Sequence, residues 1–178
     1  LILVTVGNAH HPFERLVHAA DEIAARLEER VLIQSGHTPC QTRHAEQVAF
    51  LAVDDYEAAA AEARLIVAHA GSGSVITAFR QGKPLIVMPR LKRFGEHVND
   101  HQLELAVALA GDSRVRVVQN AEELGAAIGT PPAGRVAEAG RAPLVGVLGA
   151  WLEAWVGGTR RCSASSVATD GGPWPCRK

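Results

Sequence analysis

Aromatic residues are scarce in this chain, with one Tyr, four Phe and three Trp among 178 residues, and Met occurs once. We read that scarcity as compositional bias and not as chemistry. Excess charge of one sign is also missing: 18 Lys and Arg face 19 Asp and Glu, a formal net charge of -1. The balance gives no electrostatic case for a nucleic-acid partner. The three cysteines, Cys40, Cys162 and Cys176, form no close pair and no CxxC. That argues against a zinc site and against a disulfide framework. No apolar run approaches the roughly 20 residues of a membrane helix. Residues 1–7 carry no basic stretch and stop too soon for a signal peptide. With no disulfide framework, the cytoplasm is the expected compartment. With 47% hydrophobic and 21% charged residues, the chain has the material for one buried core.

What is present is alternation. Short Val/Ile/Leu runs at residues 1–6, 31–33, 48–53, 65–68, 85–88 and 115–118 read as strands. Between them lie helical patterns. At 13–29, Phe13, Leu16, Val17, Ala20, Ile23, Ala24 and Leu27 share one face. Asp54 or Asp55 is expected to cap an Ala-rich helix ending at 63. Further helices are expected from the Gly/Ser turn at 69–74 to about 82, over 97–110, and over 121–128 with Asn120 as cap. Residues 91–96 read as a basic loop. The apolar runs do not alternate with polar residues, as expected of strands buried on both sides. The fold class is therefore α/β, a Rossmann-like parallel sheet with helices on both faces. Residues 1–129 form that domain, 130–156 a linker and a C-terminal helix, and 157–178 a disordered tail.

Ligands of such sheets sit outside the carboxyl ends of the strands. This rule selects 7–11, 34–38, 69–74 and 89–101 as one rim. On it, His69-Ala-Gly-Ser-Gly-Ser74 is a strand, a glycine turn and a helix start. Free N–H groups and the helix dipole there favour an anion, usually phosphate. The plain alternative is a tight turn whose glycines only permit positive φ. The spacing is neither GxGxxG, a Walker loop nor GxSxG. A second cluster puts Glu96, His97, Asn99, Asp100, His101 and Gln102 at one helix start, where donors and acceptors could hold sugar hydroxyls. The alternative is a solvated helix end. His97 and His101 fit i,i+4 metal spacing, but no third ligand follows and no metal site is assigned. His10, His11 and His37 share the rim, as an acid–base group or as idle loop residues. Arg90, Lys92 and Arg93 fit a diphosphate, or a surface facing a partner or anionic lipid.

These residues carry a resemblance. Val4-Thr-Val-Gly7, Ile33-Gln-Ser-Gly36, His69 to Ser74, Gly82-Lys-Pro-Leu-Ile-Val-Met-Pro-Arg90 and Gly95-Glu-His-Val-Asn-Asp-His-Gln102 follow in order. Together they resemble the glycosyltransferase family 28 C-terminal domain over residues 1–128. The likeness extends to its stand-alone PssE-type subunits from bacterial exopolysaccharide synthesis, and to the soluble subunit of the eukaryotic two-chain UDP-GlcNAc transferase. The resemblance implies the donor-binding half of a GT-B fold. A membrane-anchored PssD-type subunit would supply the other half, and would hold this chain at the inner face of the membrane. The substrates implied are a UDP-sugar and a lipid-linked saccharide acceptor, with no cofactor and no obligatory metal.

By position, Gly7 and Asn8 match the first-strand loop near the diphosphate, where related sequences often carry Thr in place of Asn8. Gly36 matches the second-strand loop. His69, Gly71, Ser72, Gly73 and Ser74 match the phosphate turn. Thr77 stands where MurG-like enzymes carry a ribose-binding Glu. His101 and Gln102 match residues near the donor sugar, with Asn99 and Asp100 beside them and Glu96 behind. His11 and His10 are the in-chain candidates for the base; the alternative is a base on the partner half. Two other readings share the sequence: a non-catalytic nucleotide-sugar-binding or regulatory subunit, and a small hydrolase using Ser72 or Ser74.

Overall fold

The computed structural model describes residues 1–133. Six strands form one parallel sheet: β1 (Ile2–Thr5), β2 (Val31–Gln34), β3 (Glu46–Val48), β4 (Leu65–Ala68), β5 (Leu85–Val87) and β6 (Val115–Val117), in the spatial order β3-β2-β1-β4-β5-β6. That order reverses direction beside β1, between β1 and β4, which is where doubly wound sheets open a crevice. Alternate residues of each inner strand feed opposite cores, as a two-residue side-chain period requires. Ile2 and Val4 of β1, Val67 of β4 and Ile86 of β5 pack with α1 (Glu14–Ala24) and α5 (Ala121–Gly129). Leu3, Ile66, Ala68, Leu85 and Val87 pack on the other face with α2 (Val53–Glu62), α3 (Ser72–Arg80) and α4 (His101–Leu109). The expected parallel sheet with helices on both faces is the observed one.

Four expected boundaries move, each for a local reason. The first helix ends at Ala24, not at 29, because Arg26 and Leu27 donate to Ile23 and Ala24 three residues back and tighten the chain out of the helix. The third strand is Glu46–Val48 and not 48–53: backbone groups of Ser35 and Gly36 take Val48 and Ala49, and the chain then turns into α2. Helix α2 starts at Val53 with Ala52 as cap, so Asp54 and Asp55 lie in its first turn and complement the dipole there. Helix α4 starts at His101 and not at 97, because the residues ahead of it are committed elsewhere. The Glu96 carboxylate takes the Leu91 N–H, and Asp100 takes the Lys92 N–H. The cap at Asn120 is as expected, accepting the Glu123 N–H at 2.8 Å. The expected helix within 130–156 and the expected tail lie, from residue 134 onward, outside the described residues.

Candidate functional site

The carboxyl ends of β1, β2 and β4 and the starts of α2 and α3 enclose an open cleft of about 290 Å³. Thr5, Gly7, Asn8, Gln34, Leu51, Val53, Tyr56, His69, Gly73 and Ser74 line it. Its floor is a polar chain. Thr5 Oγ1 donates to Gln34 Oε1 at 2.7 Å and accepts the Gly7 N–H at 3.2 Å, and Gln34 Nε2 donates to Asn8 Oδ1 at 3.4 Å. The first two strand-end loops meet backbone to backbone here. A Cβ at Gly36, where φ is +56°, would stand 2.7 Å from the Gly7 carbonyl oxygen.

One wall is the N-terminus of α3. Gly71 caps it with extended backbone and no side-chain cap bond, and no acidic residue occupies the first turn. The N–H groups of Ser72, Gly73 and Ser74 therefore have no acceptor within the helix. Together with the dipole they make this wall an anion-binding end. Behind it stands His69. A Cβ on either Gly7 or Gly71 would collide with the imidazole, so both glycines are required by the ring between them. His69 Nδ1 is enclosed without a hydrogen-bond partner. Burial, then the nearby Arg90 charge, push its pKa down to about 4, so the ring is neutral at pH 7. Tyr56 brings a second enclosed and unpartnered atom, its hydroxyl. Burial raises its pKa, opposed by the neighbouring Ser74 and Thr5.

The predicted residues divide into two groups. Gly7, Asn8, His69, Gly73 and Ser74 line the cleft, with Gly36, Gly71 and Ser72 shaping it. Thr77 is buried lower on α3 and faces Glu57, whose carboxylate is held below its usual range by Arg80, then Gln81, with Thr77 contributing. The cluster after β5 does not line the cleft. Glu96 is buried and grips Arg15 with both oxygens, at 2.9 and 2.8 Å. Gln102 Oε1 accepts the Arg90 N–H at 3.1 Å. Asn99 Oδ1 takes the His101 N–H at 3.3 Å, and His101 itself is exposed beside Glu104. His11 is half-buried with its ring 6.3 Å from His97, and His10 stacks on His37 at 4.6 Å. Both sit on the rim beside the cleft.

Arg90 answers neither sequence-level alternative. It is fully buried. Its guanidinium donates to the carbonyls of Val6 at 2.8 Å, His11 at 2.7 Å, Pro12 at 3.3 Å and Glu96 at 3.0 Å. It thus ties the loop after β1 to the loop after β5. Burial lowers its pKa to about 10, opposed by Glu96, which leaves it charged at neutral pH. Sequence reasoning also missed Thr5, Leu51, Val53 and Tyr56 as cleft residues. The strand-end rule could have found Thr5; nothing in the pattern marked the other three. A hydrolase triad is not assembled among the described residues. No carboxylate meets His69 Nδ1, and neither Ser72 nor Ser74 bonds to the ring.

The model of the glycosyltransferase family 28 C-terminal domain matches residues 1–128. This chain belongs to that family. Among curated relatives of this family 28 domain, the UDP-N-acetylglucosamine transferase subunit ALG13 of Yarrowia lipolytica is 29% identical over 138 residues, covering 70% of this chain and 68% of that protein. The subunit of the same name from Cryptococcus neoformans is 38% identical over 74 residues, covering 39% of this chain and 35% of its own length. Among solved structures, the kitacinnamycin glycotransferase superposes with a TM-score of 0.55 at 20% identity, over 72% of this chain and 34% of that one. The calicheamicin glycosyltransferase CalG4 gives 0.55 at 18% identity, over 73% and 34%. The family 28 domain thus shares its fold with about a third of each of these GT-B chains.

Proposed function

We propose that this domain is the donor-binding, catalytic subunit of an inverting, UDP-sugar-dependent glycosyltransferase assembled from two chains. The observation that carries the reading is the cleft itself: an anion-binding helix end on a polar floor, at the crevice of a parallel sheet. The names of the curated relatives, subunits of a UDP-N-acetylglucosamine transferase, support a nucleotide-sugar donor and a second subunit. The cleft is open on one side, which supports completion by a partner. That partner is of the membrane-anchored PssD type and holds this chain at the inner membrane face. The sugar is a hexose, hexuronate or N-acetylhexosamine. The acceptor is a lipid-linked saccharide of exopolysaccharide or glycolipid synthesis.

In the proposed reaction an acceptor hydroxyl oxygen bonds to the anomeric carbon from the face opposite UDP. The carbon–oxygen bond to UDP breaks, and the configuration inverts. The hydroxyl proton passes to a base, His11 or His10 of this rim or a group of the partner. The N–H groups of Ser72, Gly73 and Ser74 meet the charge that develops on the leaving diphosphate, with no obligatory metal. Asn8, Gly36 and His69 complete the nucleotide side, with Thr77 behind them on α3; of the cluster beside the cleft, Asn99 and His101 are the members placed to approach the sugar, since Glu96, Asp100 and Gln102 are bonded to Arg15 and to the backbone of Lys92 and Arg90.

Saturation-transfer NMR with UDP, UDP-glucose, UDP-glucuronate, UDP-GlcNAc and ADP tests the donor assignment. Transfer to uridine and to one sugar is expected. No transfer from any UDP ligand, with the partner absent and present, would overturn it. Turnover by the assembled pair, retained in EDTA, separates the catalytic role from a purely regulatory one.

A further inference from the structure

After β5 the chain makes one turn of 3-10 helix, Lys92–Phe94, and Lys92, Arg93, Phe94 and Gly95 are all exposed. Phe94 is 55% exposed and Val98 62%. Apolar side chains in a flexible loop would fold back onto the protein, but this turn is braced. The Phe94 N–H donates to the Leu91 carbonyl at 3.1 Å and the Gly95 N–H to the Lys92 carbonyl at 2.9 Å. The Glu96 and Asp100 carboxylates hold the N–H groups of Leu91 and Lys92, each at 2.9 Å. Gly95, at φ +70°, closes the turn. The Phe94 ring is flanked by the guanidinium groups of Arg93 at 4.8 Å and Arg15 at 5.3 Å.

The charges around this tip are unevenly matched. Arg15 is neutralised by Glu96. Asp100 is spent on the backbone of Lys92. Among the described residues, neither Lys92 nor Arg93 has a carboxylate partner. A hollow lined by Pro12, Glu14, Arg15, Phe94 and Glu96 lies beside the turn. The tip is thus a hydrogen-bonded turn with two cations that lack a carboxylate partner and an exposed aromatic ring. A protein partner would need a matching pocket for Phe94. A bilayer interface needs none, because headgroups part around the ring while anionic lipids meet the cations.

We infer that the Lys92–Phe94 turn, with Val98, is a direct contact of this chain with anionic phospholipid, separate from its attachment to a partner. The turn lies on the same rim as the cleft, so the contact would face the open side of the cleft toward the bilayer. It stands independently of the donor assignment, since none of Lys92, Arg93, Phe94 and Val98 lines the cleft.

The test uses the full ¹⁵N-labelled chain with small vesicles of phosphatidylcholine containing about one-third phosphatidylglycerol and a gadolinium-chelating lipid. Broadening is expected to centre on the amides of residues 92–98, to weaken with salt, and to fade on pure phosphatidylcholine. In a Lys92→Gln, Arg93→Gln, Phe94→Ser variant, partitioning should fall by at least roughly 30-fold, the worth of the two exposed cations, with the loss of the ring adding to it. UDP saturation transfer should persist in that variant, which separates this inference from the donor reading. The proposal is overturned if no amide broadens at millimolar lipid, if broadening centres elsewhere or survives the triple substitution, or if the turn responds to the partner subunit and not to vesicles.

Discussion

Gly73 offers a substitution that should move stability and ligand binding in opposite directions. It is the second residue of α3, is exposed, and a Cβ there meets nothing within 4 Å. The first turn of α3 has no acid, whereas that of α5 has Glu122 and Glu123. Gly73→Asp therefore places a carboxylate against an uncompensated helix N-terminus. Dipole compensation contributes about 0.3–1 kcal/mol, and replacing a helical glycine adds a few tenths. Folding should be stabilised by about 0.5–1 kcal/mol in urea titrations. A diphosphate at the same N–H groups would meet the new charge at roughly 5 Å. At an effective dielectric near 20 that costs about 3 kcal/mol per phosphate charge, before screening. UDP affinity should fall by about 100-fold, and Gly73→Asn, of equal size and no charge, by far less. If Gly73→Asp binds UDP within about threefold of the parent protein, no phosphate sits at this helix end.

Two further outcomes follow from the buried basic groups of the site. His69 has a folded pKa of about 4 against an ordinary 6.5, so between those values the unfolded chain binds the extra proton. Its stabilisation is present above pH 6.5 and is lost as pH falls toward 4. The loss between pH 7 and 5 is about 2 kcal/mol, in a window where carboxylates stay ionised. Urea unfolding at stepped pH should show this slope, and His69→Gln should flatten it; an unchanged slope would refute the assignment. Arg90→Met removes the donor from four backbone carbonyls at once. It should cost about 3–5 kcal/mol, since enclosed acceptors are left unpaired. A loss below about 1 kcal/mol by calorimetry would mean that water reaches those carbonyls and that Arg90 does not brace the rim.

The legibility of this chain follows the range of the forces involved. Strands β1, β4 and β5 were readable because runs such as Leu65–Ala68 are buried on both faces, and burial writes itself into composition. Edge strand β3 was misplaced because its residues, Glu46, Gln47 and Val48, are exposed or half-buried and carry no such imprint. The glycine turn was readable for a similar reason: the next residues must both turn and start a helix, a local demand with a local signature. The start of α4 was not, because it depends on partners far off in sequence. Glu96 is drawn out of the helix by Arg15, 81 residues earlier, and by the Leu91 N–H. Arg90 is the extreme case. On a basic loop, a lone Arg next to Lys92 and Arg93 reads as surface charge. Its burial is visible only when the carbonyls of Val6, His11, Pro12 and Glu96 are known to converge on it. Those carbonyls belong to loops that no hydrophobic period describes, so the cation that organises the rim is the residue whose neighbours in sequence say least about it. The same reasoning sets apart the glycines at 7 and 71. Each was expected for the backbone's sake, and each is also needed because His69 stands between them. Replacing His69 by a smaller residue should therefore make Gly71→Ala tolerable, whereas Gly7, at φ +72°, should remain intolerant of any side chain.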